Sequence, residues 1–158
     1  MKNNYNLLLK ICFLIIFIFL IGLSVIYLPS PGNNQIQDNL NNSSSQNTID
    51  LVEKHAQAWI DGDLELLDSL LHEEVVFAYP GRRLNKEQTL ADLTYFRDHF
   101  RDTKVYINKI IIDGNELAVE WQFASTKVET GHRQVVSDAI IAEVKDNQFI
   151  VWKEYLDG

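Results

Sequence analysis

The chain has 158 residues and one cysteine, and its Asp and Glu outnumber its Lys and Arg 22 to 14. That length suits one domain with an appendage, and a lone cysteine excludes an intrachain disulfide and a cysteine-built metal site. The charge is divided: two of the 14 basic and one of the 22 acidic side chains precede Ile49, so the rest of the chain carries a net −9, which repels phosphate backbones and argues against nucleic-acid binding.

From Ile11 to Leu28 the sequence ICFLIIFIFLIGLSVIYL contains no charge, and Leu7, Leu8 and Leu9 extend it beyond Lys10. About 20 apolar residues cross ~30 Å of hydrocarbon. Tyr5 and Tyr27 stand near the two ends, as interfacial aromatics do. The run is longer than the core of a signal peptide, and Tyr27-Leu28-Pro29-Ser30-Pro31 is a poor cleavage site. Residues 1–28 therefore read as a cytoplasmic N-terminus and a single-pass transmembrane signal anchor, with Cys12 inside it. Lys2 and Lys10 precede the span and no Lys or Arg follows until Lys54, which places the N-terminus in the cytoplasm and the C-terminal domain outside it.

Residues 29–47, PSPGNNQIQDNLNNSSSQN, hold too little apolar surface to offset ordering and read as a flexible polar linker. The folded domain spans 48–158. Ile49, Val52, Ala56, Trp59 and Ile60 recur at helical spacing after a Thr48 cap, and Gly62 closes that helix. Asp63 caps a second helix carrying Leu64, Leu67, Leu70 and Leu71. VVFAYP, 75–80, is a short strand stopped by Pro80-Gly81, and Arg82-Arg83 reads as a solvated turn. Asn85 and Gln88 form a capping box for a third helix with Leu90, Leu93, Phe96 and Phe100.

The remainder is β. Val105, Ile107 and Ile111 alternate, Asp113-Gly114-Asn115 turns the chain, and Leu117, Val119, Trp121 and Phe123 alternate again. Strands over 133–144 and 148–156 flank a turn at Asp146-Asn147. The order ααβαββββ predicts an α+β fold with helices on one face of a curved antiparallel sheet.

A two-residue turn at Asp146-Asn147 makes opposed positions sum to 293. Asp138 then faces Tyr155, Ile140 faces Lys153, Ala142 faces Val151, and Val144 faces Phe149. Opposed side chains share a face. This predicts an apolar wall ending in Asp138, Lys153 and Tyr155, with Lys153 diagonal to Asp138 as its ion partner. On the other face Ile141 meets Trp152 beside Ala139 and Ile150. Sheets apolar on both sides need cover on both, which predicts a homodimer.

AWIDGD (58–63), LLHEEVVFAYP (70–80) and the ending FIVWKEYLD (149–157) give residues 49–157 a resemblance to the SnoaL-like branch of the nuclear transport factor two-like superfamily, which includes ketosteroid isomerases. The resemblance implies a cone-shaped α+β barrel of about three helices on a curved sheet, an apolar pocket, and dimers through the outer sheet face. It implies no single chemistry. Asp138 falls where ketosteroid isomerases place the acid that holds an oxyanion. Their general base precedes a proline after the first strand, and here Tyr79 stands there, a poor base but a competent donor.

Trp59 and Trp121 suit either the core or a pocket wall, and His132 follows Gly131 near the pocket mouth. His55 suits surface or core better than a ligand role. No metal-ligand spacing appears, so neither metal nor cofactor is expected. Two functions remain open. One is a membrane-anchored, non-catalytic module binding a small apolar ligand or a protein partner through Tyr79, Trp121, Lys153, Tyr155 and His132. The other is an isomerase, cyclase or dehydratase using Asp138 as acid and base on a hydrophobic carbonyl substrate.

Overall fold

The structure, a computed structural model, describes residues 31–157. The chain divides into two units, Met1–Asp38 and Asn39–Gly158, and the second holds the sheet. The expected membrane span at 11–28 lies outside the described residues. Among those described, no helix is long and apolar enough to cross a membrane.

Helix α1 covers Pro31–Asp61, so the backbone is helical through most of the stretch read as a linker. Proline is tolerated at a helix start, and the Asn, Gln and Ser that follow permit helix without favouring it. Thr48 is consequently not a cap. Its hydroxyl donates to the Ser44 carbonyl one turn back, at 3.1 Å. Gly62, at φ +66°, ends α1, as expected. Asp63 accepts from the Leu66 amide to start α2 (Leu64–Leu70), and the Asn85–Gln88 capping box starts α3 (Lys86–His99).

Six strands form one curved sheet: β1 (Leu71–Tyr79), β2 (Arg82–Leu84), β3 (Phe100–Asp113), β4 (Glu116–Lys127), β5 (Arg133–Lys145) and β6 (Gln148–Asp157). Their spatial order is β2-β1-β6-β5-β4-β3. The sheet is not wholly antiparallel, because β1 and β6 are parallel neighbours. Parallel neighbours need a long crossover, and everything from Pro80 to Asn147 supplies it. Strand β2 replaces the expected solvated turn: Gly81 at φ +81° lets Arg82 return opposite Tyr79.

Alternation sends Val119 and Trp121 of β4, Ile140 and Ala142 of β5, and Phe77 of β1 inward. Val52 and His55 of α1, Leu67 of α2 and Leu93 of α3 meet them in a fully buried core. The three helices of the described residues thus cover one face of the sheet.

The last hairpin departs from the expected register. Asp146 and Asn147 both take positive φ, and Val144 does face Phe149. A bulge follows, in which Ile150 is the extra residue: Glu143 faces Val151 and Ala142 faces Trp152. The Val144 amide donates to the Asn115 carbonyl at 2.8 Å, and the Asn115 side chain donates to Glu143 at 3.0 Å. The neighbouring β3–β4 turn thus meets β5 at the two residues opposite the bulge. Beyond it every pairing moves by one residue and the faces exchange. Asp138 lies opposite Leu156, Ile140 opposite Glu154, and Ile141 opposite Lys153. Trp152 is buried in the core and not on the outer face.

Candidate functional site

A cavity of about 340 Å³ opens between the sheet and helices α1 and α3. Its size is at the lower end of small-molecule pockets. Trp59, Phe96 and Phe123 meet edge to face on its wall, with ring centroids 5.4–6.5 Å apart. Phe77, Tyr79 and Trp121 add further aromatic surface, and Val136 and Leu156 add aliphatic surface.

Two carboxylates close this apolar space. Trp121 and Asp138 are directly paired across β4 and β5, so the indole Nε1 donates to Asp138 Oδ2 at 2.7 Å. On β6, Trp152 and Glu154 are two residues apart on one face, and the second indole donates to Glu154 Oε1 at 2.8 Å. Glu154 lies diagonal to Asp138 across the β5–β6 ladder. Asp138 is only 5% exposed, and its Oδ1 is buried without a hydrogen-bond partner among the described residues.

Burial pushes the Asp138 carboxyl above its ordinary range, against the pull of the Trp121 indole. Burial also pushes Glu154 up to about 7; the Trp152 indole opposes the rise, and the Asp138 charge adds to it. Among the described residues neither carboxylate has an ion-pair partner.

At another part of the wall, the Tyr79 hydroxyl donates to Asp92 Oδ2 at 2.5 Å, while Arg82 meets Asp92 Oδ1 at 3.2 Å. Tyr79 is pushed up to about 12, first by burial and then by the hydrogen bond and charge of Asp92. A phenol so committed holds its proton and does not serve as a base.

The SnoaL-like domain profile matches residues 52–152. The chain belongs to the SnoaL-like family. Solved structures of similar fold include a Mycobacterium tuberculosis LEH-like epoxide hydrolase, at 23% identity and TM-score 0.64, covering 71% of this chain and 84% of that one. IdmH of Streptomyces antibioticus, assigned as a polyketide cyclase, has 20% identity and TM-score 0.61 over 68% of this chain and 90% of that one. A hypothetical protein of ketosteroid isomerase-like fold from Catenulispora acidiphila, solved with trimethylamine, has 16% identity and TM-score 0.61 over 66% and 83%. These likenesses show the fold. A comparison with curated proteins finds no match.

In this SnoaL-like domain the cavity brings together Asp138, Tyr79 and Trp121 of the residues singled out by sequence. Lys153 and Tyr155 do not join them. The bulge turns both to the other face, where they flank a separate shallow depression with Ala78 and Pro80. Lys153 is therefore not the counter-ion of Asp138. His132 is exposed beyond the start of β5, its amide held by Thr130. Glu154, Asp92 and Arg82 reach the cavity unforeseen. Trp152 carried the one legible signal for Glu154: the largest apolar side chain of β6 belongs inward, and Glu154 shares its side.

His55 is fully buried against Trp121 and Trp152, with centroids 6.0 and 4.0 Å away, and neither ring nitrogen has a partner. Burial pushes it down to about 3, so it stays neutral. Among the described residues no three His, Cys, Asp or Glu side chains gather as a metal site.

The raised Glu154 has a thermodynamic consequence. Folding favours its protonated form, so this group contributes a cost that grows from pH 4.5 to about 7 and is then constant. Chemical denaturation should show Glu154→Gln gaining stability relative to wild type across that window. His55 acts in the opposite sense between about 3 and 6.5 but is common to both proteins. A stability difference independent of pH would refute the assignment.

Proposed function

We propose that this SnoaL-like domain binds one small, predominantly apolar molecule in the cavity beside Asp138. The observation that carries this is an aromatic cavity whose wall includes Asp138, a buried carboxylate with one indole hydrogen bond and no ion-pair partner among the described residues. Such a carboxylate is incompletely compensated, and a ligand with a polar end would offset part of that cost. The Catenulispora acidiphila protein solved with trimethylamine supports small-molecule binding on this fold. Calorimetry of the full chain in nonionic detergent with 4-tert-butylphenol should give saturable binding at about millimolar Kd or tighter, beyond a micelle blank. Val136→Trp, which fills the cavity, should abolish it. Absence of saturable binding to the wild type would overturn the reading.

The carboxylate pair favours proton transfer as a second reading. A group titrating near 7 beside another of raised pKa suits general acid–base work on a hydrophobic carbonyl compound. The epoxide hydrolase and cyclase names attached to fold relatives are compatible with it. In heavy water, 2-indanone should then exchange its α-hydrogens faster with protein than in buffer, and Asp138→Asn should slow this at least about a hundredfold. Equal rates with Asp138→Asn would remove the enzymatic reading and leave binding intact.

The span at 11–28 holds the domain on the outer side of a membrane, with the N-terminus cytoplasmic. Two copies pair through the outer sheet face, where Val135, Ile141 and Tyr155 are 61, 49 and 58% exposed. The chain should resist alkaline carbonate extraction and sediment as a dimer after solubilisation. Release by carbonate would refute the anchor, and a monomer at micromolar concentration the pairing.

A further inference from the structure

We propose that the occupant of the cavity is a small organic cation, a tertiary or quaternary ammonium compound, seated against aromatic faces with its charge toward Asp138 and Glu154. The proposal rests on the cavity being a ligand site. It names the chemical class that site takes.

Three features of the chain point to a cation. The first is the wall. Trp59, Trp121, Phe96 and Phe123 present π-systems, whose faces attract positive charge most strongly where water is excluded. The domain already shows this contact at the edge of the site, where the Arg82 guanidinium lies 5.7 Å from the centre of the Tyr79 ring.

The second is the charge balance. The charged and titratable groups lining the cavity are Asp138 and Glu154 from the sheet, Tyr79 and Arg82 from β1 and β2, and Asp92 and Tyr95 from α3. His55 packs on Trp121 and Trp152 and is neutral. Arg82 is the only cation of the lining, and Asp92 takes it at 3.2 Å. Asp138 and Glu154 are left with an indole N–H each and no positive partner among the described residues. Buried charges are ordinarily paired, so neither carboxyl has the cation its ionised form calls for.

The third is the mismatch with other ligand classes. A neutral carbonyl offers only acceptors, so it fits beside Asp138 only in the protonated state on which the proton-transfer reading depends. A primary ammonium brings three N–H donors and a tight hydration shell, which these mostly apolar walls do not replace. An alkylated ammonium is weakly hydrated and apolar outside, and it needs charge more than hydrogen bonds. The net −9 of residues 49–158 also favours encounter with cations over anions.

Glu154, pushed up to about 7, would ionise when a cation arrives, so binding should release protons near pH 7. The test compares two molecules of the same shape, 4-hydroxyphenyltrimethylammonium and 4-tert-butylphenol, by calorimetry with the full chain in nonionic detergent. At pH 8 the ammonium compound should bind at least tenfold tighter, and its advantage should shrink toward pH 6. At pH 7, runs in buffers of different ionisation heat should show proton release for the ammonium compound alone. Glu154→Gln and Asp138→Asn should each weaken the ammonium compound more than they weaken 4-tert-butylphenol, and far-ultraviolet circular dichroism reports whether each variant is folded. Equal affinities, or tighter binding of 4-tert-butylphenol, would overturn the cation and leave the pocket standing. Failure of both molecules to bind the wild type would overturn cation and pocket together. Should both variants fail to fold, the wild-type comparison and its proton release decide the matter alone.

Discussion

The extra residue Ile150 in β6 decides what the pocket is. Side chains alternate along a strand, so one inserted residue exchanges the faces of everything beyond it. Because of that residue, Trp152 joins the core, and Glu154 and Leu156 line the cavity. Lys153 and Tyr155 are turned away. On the strand opposite the bulge, the Val144 amide and the Glu143 carboxylate are both hydrogen-bonded to Asn115 of the adjacent β3–β4 turn.

With that register in place, one device is repeated. Each carboxylate accepts one indole N–H, Asp138 from across the ladder and Glu154 from its own strand. One hydrogen bond offsets only part of the desolvation of a buried carboxylate, so both groups keep their protons more firmly than exposed ones. His55 adds another buried polar side chain, with no hydrogen-bond partner among the described residues. Concentrating such costs around one cavity is usual at functional sites, where stability is traded for a prepared environment.

Much of the fold was legible because its signals are local. The Asp63 cap, the Asn85–Gln88 box, Gly62 at the end of α1 and the alternation of Leu117, Val119 and Trp121 each depend on a few adjacent residues. The helix over residues read as a linker was not legible, since polar residues are neutral between helix and coil until tertiary context decides. Strand β2 was missed because three residues carry no readable alternation, and the Arg82–Asp92–Tyr79 cluster because it joins two strands to a helix.

The sequence by itself determined the α+β class, the acidity of the domain and the SnoaL-like resemblance that the family match bears out, and it singled out Asp138, Tyr79 and Trp121, which line the cavity. Those follow from composition, local capping and period-two alternation. Only the tertiary structure decided the partner of Asp138. Sequence pairing gave it Lys153, a compensated charge, and the folded hairpin gave it Glu154, an uncompensated pair. The reason is geometric: no local pattern announces one extra residue in a strand, and alternation carries its single-residue shift to the end of the hairpin.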